Sequence, residues 1–302
     1  MHILSVADLT ARQIERLLSL AVWLKRYPLG TQLKGKTVAL VFEKPSTRTR
    51  VSFETGIGQL QGQALYIDAS TTQLSRGEPI KDFARVMDRY VDCIAARVFS
   101  HSTLEEIAKH SAKPVINMLS DLEHPCQTLA DLLTIKEKLG RFKGVKVAYI
   151  GDGNNVCNSL MLGCALAGMD IAISDPPHYK PNQAVLRKAK LLARNSNASV
   201  TITASPEQAV KDADIIYTDT WISMGEEKEE RKRLKVFRKD QVNGKLARHA
   251  KKNYLFMHPL PRHPGREVTD DVFESKHSIV FDQAENRLHV QKALLVKLLG
   301  RW

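Results

Sequence analysis

The sequence predicts an α/β protein of two domains, each built on a mainly parallel sheet flanked by helices. Short β-rich apolar runs alternate with amphipathic helical segments along the whole chain, the pattern of strands joined by crossover helices. Polar residues gather directly after those runs in both halves, where open parallel sheets take their ligands. The length of 302 residues suits two domains that each bury a core.

The chain opens on a helical pattern from Leu9 to Leu24, with apolar positions interrupted by Arg12, Glu15 and Arg16. Strand-like runs then cover 36–43, 64–69, 93–98 and 115–119 in the first half. In the second half they cover 145–151, 169–174, 199–204, 214–219, 253–258 and 278–282. Amphipathic segments at 79–90, 102–110, 126–139, 155–167 and 181–194 lie between them. The Gly140–Gly144 junction, followed by a new strand at Val145, reads as a boundary between domains 1–140 and 141–283. A last helix at about 284–299 follows from apolar spacing, which leaves open the domain it packs on.

Composition narrows the classes. Hydrophobic residues make up 43%, with no run long enough to span a bilayer, and no membrane partner is expected. The first residues lack the charged-then-apolar build of a signal peptide. Cys93, Cys126, Cys157 and Cys164 have neither metal-ligand nor redox-pair spacing, which fits a reducing, cytoplasmic setting. The net charge of +12 suits nucleic acid or an anionic small substrate. Its basic residues are scattered apart from Lys228 to Arg238, where glutamates interleave, and no basic stripe carries aromatics, so nucleic acid is not expected.

The densest chemistry lies at Ser46-Thr47-Arg48-Thr49-Arg50, between the run ending at Phe42 and a helical stretch from Val51. Pro45 is at ease just before a helix, and Ser46 is a good N-cap. Free backbone N–H groups, the positive end of the helix dipole, two threonine hydroxyls and two guanidiniums then converge: a phosphate site. The plain alternative is a capped helix with solvated arginines. Further polar groups follow other strands, among them Arg97, His124-Pro125-Cys126-Gln127, Gly151-Asp152-Gly153-Asn154-Asn155, Asp219 to Gly225 and His258 to Arg262. This placement in both halves is what a cleft between two domains requires.

These residues carry a resemblance. Ser46–Arg50, His124-Pro125-Cys126-Gln127 and His258-Pro259-Leu260-Pro261, in this order and spacing, resemble the aspartate/ornithine carbamoyltransferases over essentially the whole chain. Asp219-Thr220-Trp221-Ile222-Ser223-Met224-Gly225 and Gly151–Asn155 are similar to the ornithine branch. The resemblance implies a carbamoyl phosphate domain at 1–140, an amino acid domain at 141–283, and a helix at 284–302 returning to the first domain. It also implies a homotrimer or a multiple of trimers, with sites at subunit interfaces and no cofactor. The implied reaction is carbamoyl phosphate with L-ornithine to L-citrulline and phosphate.

The resemblance assigns roles. Ser46, Thr47, Arg48 and Thr49 would hold the leaving phosphate, with Arg287 reaching it from the last helix. Arg97, His124 and Thr49 would face the carbonyl oxygen, which gains charge in the transition state, and Gln127 the carbamoyl amide. Gln127 lies one helical turn beyond His124, which strengthens a functional reading of a histidine that otherwise only opens a helix. Asp219 would take the cationic amino acid, with Asn155, Ser223 and Met224 on its α-groups and the Leu260 carbonyl on its side-chain amine. Arg50 divides between ligand and structure, and Arg76 lies in a loop that in relatives leans toward a neighbouring subunit.

One departure stands out. Ornithine enzymes usually read His-Cys-Leu-Pro where this chain has His258-Pro259-Leu260-Pro261, which resembles the aspartate branch. Proline there removes a thiol and a backbone N–H beside the amine. Aspartate, putrescine and a modified ornithine therefore stand as alternative acceptors, although a loop with Asp219, Glu226 and Glu227 suits a diamine better than a dicarboxylate. A dinucleotide reading of Gly151-Asp152-Gly153 fails because the third glycine position falls on Val156. His124, His258 and His263 have no metal-ligand spacing, and no metal is expected. A catalytically silent family member and a nucleic-acid-binding protein are the remaining rivals.

Overall fold

The computed structural model describes residues 1–222 and 227–300. The chain forms two compact units, Met1–Leu133 with Glu285–Trp302, and Thr134–Ala284.

In the first unit, helix α1 (Ala11–Arg26) is capped reciprocally by Thr10 and Gln13. It buries Ile14, Leu17, Leu18, Ala21 and Leu24, one apolar stripe at helical spacing. Strand β1 (Thr37–Phe42) leads to α2 (Thr47–Gln59), then β2 (Gln63–Asp68), α3 (Ile80–Tyr90), β3 (Cys93–Arg97), α4 (His101–His110), β4 (Val115–Leu119) and α5 (Pro125–Leu139), whose residues up to Leu133 belong to this unit. The four strands pair in parallel in the order β2-β1-β3-β4. Strands β1 and β3 are central and buried almost throughout, so their Val/Ile/Ala-rich runs face helices on both sides. Register Phe42↔Arg97 brings their carboxyl ends level.

In the second unit, β5 (Lys146–Ile150), α6 (Asn155–Ala167), β6 (Asp170–Ser174), α7 (Gln183–Ser196), β7 (Val200–Thr203), α8 (Pro206–Val210), β8 (Ile215–Thr218), α9 (Glu230–Phe237), α10 (Gly244–Ala247), β9 (Leu255–Met257) and α11 (Asp270–Phe273) follow. The five strands are parallel in the order β7-β6-β5-β8-β9. Strand order reverses at β5, and the turns after β5 and β8 lie side by side at that switch point. Tyr149 and Tyr217, from these two strands, stack with ring centroids 5.7 Å apart.

The run 278–282 is not a strand. Ser278 makes a single parallel bridge to Phe256, and helix α12 (Val280–Leu299) starts two residues later. A short apolar run fits a strand and a buried helix turn equally; here the i→i−4 ladder takes over when Gln283 N–H donates to the Ile279 carbonyl. Within the first unit, α12 packs so closely on α2 that a Cβ at Gly56 would lie 2.9 Å from Lys292 Cγ. Lys292 is fully buried. Its ammonium replaces water with the carbonyl oxygens of Pro28 (2.6 Å), Gln59 Oε1 (2.8 Å) and Leu24 (3.4 Å).

Candidate active site

In the first unit the site grows from the N-terminus of α2. Ser46 is extended and caps the helix, its hydroxyl accepting from Thr49 N–H at 3.4 Å, so one of the expected free donors is partly engaged. Thr47 and Arg48 are exposed, whereas Thr49 is buried. From α12, Arg287 donates through Nη2 to Thr49 Oγ1 (3.2 Å) and through Nη1 to Gln127 Oε1 (2.6 Å). Gln127 in turn donates Nε2–H to Asp131 Oδ1 at 2.9 Å. Three sequence-distant elements, α2, α5 and α12, thus meet in one hydrogen-bonded chain.

Positive charge is concentrated here. Arg97 ends β3, is buried, and its Nε has no hydrogen-bond partner. Burial lowers its guanidinium to about 10, and repulsion from Arg287 and Arg48 adds to the shift. Partial desolvation lowers Arg48 as well. His124 is pushed well below the ordinary imidazole value by burial, then by Arg287 and Arg97, so it is neutral near pH 7. Guanidiniums held this close, with no carboxylate paired to Arg97 or Arg48 among the described residues, favour an anion. Arg50 points elsewhere: Nε pairs with Glu54 at 2.9 Å, and the guanidinium lies over the Tyr66 ring, 3.6 Å from its centroid.

In the second unit, Asp219 follows β8 and is buried. Its carboxylate accepts from Asn154 Nδ2 (2.8 Å) and from Thr220 N–H (2.7 Å). Burial raises Asp219, and those hydrogen bonds pull it back. Asn154 is itself fixed as the N-cap of α6, its oxygen accepting from Val156 and Cys157 N–H. After β9, His258 Nδ1 accepts from Leu260 N–H (2.9 Å), so the ring proton sits on Nε2, facing Glu267 Oε1 at 3.2 Å. Leu260 is held at φ +59°, a left-handed conformation rare for a branched side chain. The turn's hydrogen bond uses Leu260 N–H and asks nothing of residue 259, so Pro259 fits without loss there.

The sequence matches a family in both units. Residues 1–137 match the carbamoyl-P binding domain of aspartate/ornithine carbamoyltransferase, and residues 143–298 match its Asp/Orn binding domain. The chain belongs to the aspartate/ornithine carbamoyltransferase family. It is 53% identical to the ornithine carbamoyltransferase of Archaeoglobus fulgidus, over 99% of this chain and 98% of that protein. It is 52% identical to the anabolic ornithine carbamoyltransferase of Pyrococcus furiosus, over 99% of this chain and 96% of that protein. A solved ornithine carbamoyltransferase structure from Pyrococcus furiosus superposes with a TM-score of 0.96 at 51% identity, covering 99% and 96% of the two chains.

For this carbamoyltransferase-family chain, the fold brings Thr49, Gln127 and Arg287 into direct contact, with Arg97 and His124 within their electrostatic reach. Asn155 opens α6 beside the Asn154 cap, and Ser223 and Met224 lie outside the described residues. The resemblance assigns Asn154 no role, although an asparagine directly before a helix is an N-cap signal. Asp131 was also legible in principle, four residues beyond Gln127 on the same helix face. Arg233 had no signal, because it lies in the mixed-charge run after Lys228. It is buried, donating to Asp152 Oδ2 (2.6 Å) and the Trp221 carbonyl (2.9 Å), and so ties the turn after β5 to the loop after β8.

No His/Cys/Asp/Glu group suited to a metal occurs among the described residues. Gly153 packs directly on the segment before α7: a Cβ there would lie 2.1 Å from Pro181 N, and its N–H donates to the Tyr179 carbonyl at 2.9 Å.

Proposed function

We propose that the protein transfers the carbamoyl group of carbamoyl phosphate to L-ornithine, giving L-citrulline and phosphate, as an anabolic enzyme of arginine synthesis. The observation that carries this reading is the guanidinium cluster at the mouth of α2, where Arg287 and the exposed Arg48 both repel the buried Arg97. The phosphate of carbamoyl phosphate would accept from Ser46, Thr47, Arg48 and Thr49, with Arg287 alongside. The carbonyl oxygen would face Arg97, neutral His124 and the Thr49 hydroxyl. Thr49 Oγ1 already accepts from Arg287, so its own hydrogen is directed elsewhere and is available to that oxygen.

Ornithine would bind through its cationic amine near Asp219 and the Leu260 carbonyl, with Asn155, Ser223 and Met224 on its α-groups. The side-chain ammonium gives one proton to solvent, and the free amine attacks the carbonyl carbon. The new C–N bond forms as the C–O bond to phosphate breaks, and the leaving phosphate takes the second amine proton. Charge developing on the carbonyl oxygen meets donors already in position. No cofactor takes part. The working assembly is a homotrimer or a multiple of trimers in the cytoplasm, which light scattering tests directly.

A panel of amines assayed with carbamoyl phosphate tests the acceptor: ornithine, aspartate, putrescine and N-acetylornithine. Turnover with ornithine at least 100-fold above the others is the expected outcome. A preference for one of the other three would move the protein to a sister carbamoyltransferase, the reading that Pro259 favours.

A further inference from the structure

We infer that Asp131 is a positioning residue for carbamoyl transfer, fixing the Gln127 amide so that its oxygen faces Arg287 and its nitrogen faces away from it. The inference rests on the proposed reaction and assigns a part of it to a residue outside the substrate contacts. A glutamine amide has two orientations of nearly equal shape, and only its partners choose between them. Here Asp131 Oδ1 accepts from Nε2 at 2.9 Å, while Arg287 Nη1 donates to Oε1 at 2.6 Å. The reversed amide would set NH₂ against a guanidinium and oxygen against a carboxylate, two repulsive contacts in place of two charge-assisted bonds.

Asp131 is fully buried on α5, and Gln127 lies one turn before it. Consequences pass along the chain of contacts. With Oε1 held toward Arg287, the guanidinium is held in plane and its Nη2 reaches Thr49 Oγ1. The Thr49 oxygen is then an acceptor from Arg287, which leaves its hydrogen for a ligand. One hydrogen of the Gln127 amide also remains beyond the one given to Asp131. Asp131 therefore sets the donor directions of two side chains without touching either substrate, as carboxylates behind other ligand-orienting groups do.

Steady-state kinetics of D131L, D131N and Q127A test this. In D131L, kcat/KM for carbamoyl phosphate is expected to fall about 10- to 100-fold, with KM for ornithine within about 3-fold of wild type. D131N retains an oxygen acceptor and is expected to stay within about 5-fold. Because Asp131 acts through Gln127, D131L is expected to cost little more once Gln127 is alanine. If D131L does not fold, D131A is read in the same cycle. Wild-type kinetics in D131L, or in D131A where that variant replaces it, or losses that multiply in the double variant, would overturn the inference while leaving the proposed function standing. Wild-type protein that transfers no carbamoyl group overturns both.

Discussion

Arg287 Nη2 lies 3.2 Å from Thr49 Oγ1, so the last helix of the chain hands a guanidinium to the first turn of the helix after the first strand. Arg287→Met keeps much of the side-chain volume and removes a charge and the hydrogen bonds to Thr49 and Gln127. Loss of one preorganised donor in such a site costs about 100- to 1,000-fold in turnover. The expected result is a fall of that size in kcat, measured at saturating ornithine. The folded state should survive, because repulsion on Arg97 is relieved at the same time. Turnover within a few-fold of wild type would remove Arg287 from the site.

Arg48 is exposed, and among the described residues no side-chain hydrogen bond ties it to the fold. Arg48→Ala is therefore expected to leave the melting temperature of the unliganded protein almost unchanged while cutting turnover severely. Inorganic phosphate gives a second readout. An anion that relieves the repulsion among Arg48, Arg97 and Arg287 stabilises the fold, by about 2.7 kcal/mol at 100 times its dissociation constant. Differential scanning fluorimetry should show that stabilisation in the wild type and a much smaller one in Arg48→Ala. Equal shifts in both would place the anion elsewhere.

Asp219 holds two hydrogen bonds, from Asn154 and Thr220, that an asparagine can partly keep. Asp219→Asn thus removes charge with little change of shape. The expected outcome is a rise of at least about 10-fold in KM for ornithine, the cost of a lost charge-assisted contact, with KM for carbamoyl phosphate little altered. Equal losses for the two substrates would argue that Asp219 serves the fold and not the amine.

Much of this was legible in the sequence for local reasons. The strands are short apolar runs, and their ends fall within one or two residues of the expected positions, as β3 at Cys93–Arg97 shows. The Ser46 cap was legible because capping is a local interaction of neighbouring residues. The run 278–282 misled because period alone cannot separate a short buried strand from a helix turn. Contacts between distant positions had no local signal. Arg287 and Thr49 are 238 residues apart, and only a family resemblance could join them. Asn154 to Asp219 and Arg233 to Asp152 were hidden for the same reason, and Arg233 further so by charged neighbours that read as a solvated face.

Asp240 and Asp175 lead to a prediction about pH rather than chemistry. Both are buried in the second unit, and neither oxygen of Asp240 nor Oδ2 of Asp175 has a hydrogen-bond partner. Burial raises each carboxyl to about 6 from 3.8. Lys239 draws both down, Lys180 draws Asp175 down, and Asp175 and Glu207 push Asp240 up. The folded chain holds these protons more tightly than the unfolded chain, whose carboxyls titrate near 4. The stability they contribute is complete below the unfolded value and is lost as pH rises through the folded one. Asp240→Asn takes one charge out of that balance. It is expected to stabilise the protein by about 1–2 kcal/mol at pH 8 and to change little at pH 4. Urea unfolding from pH 4 to pH 8 measures the difference: the variant's curve should be flatter than that of the wild type between pH 4 and 7, and parallel curves would show that Asp240 is already compensated.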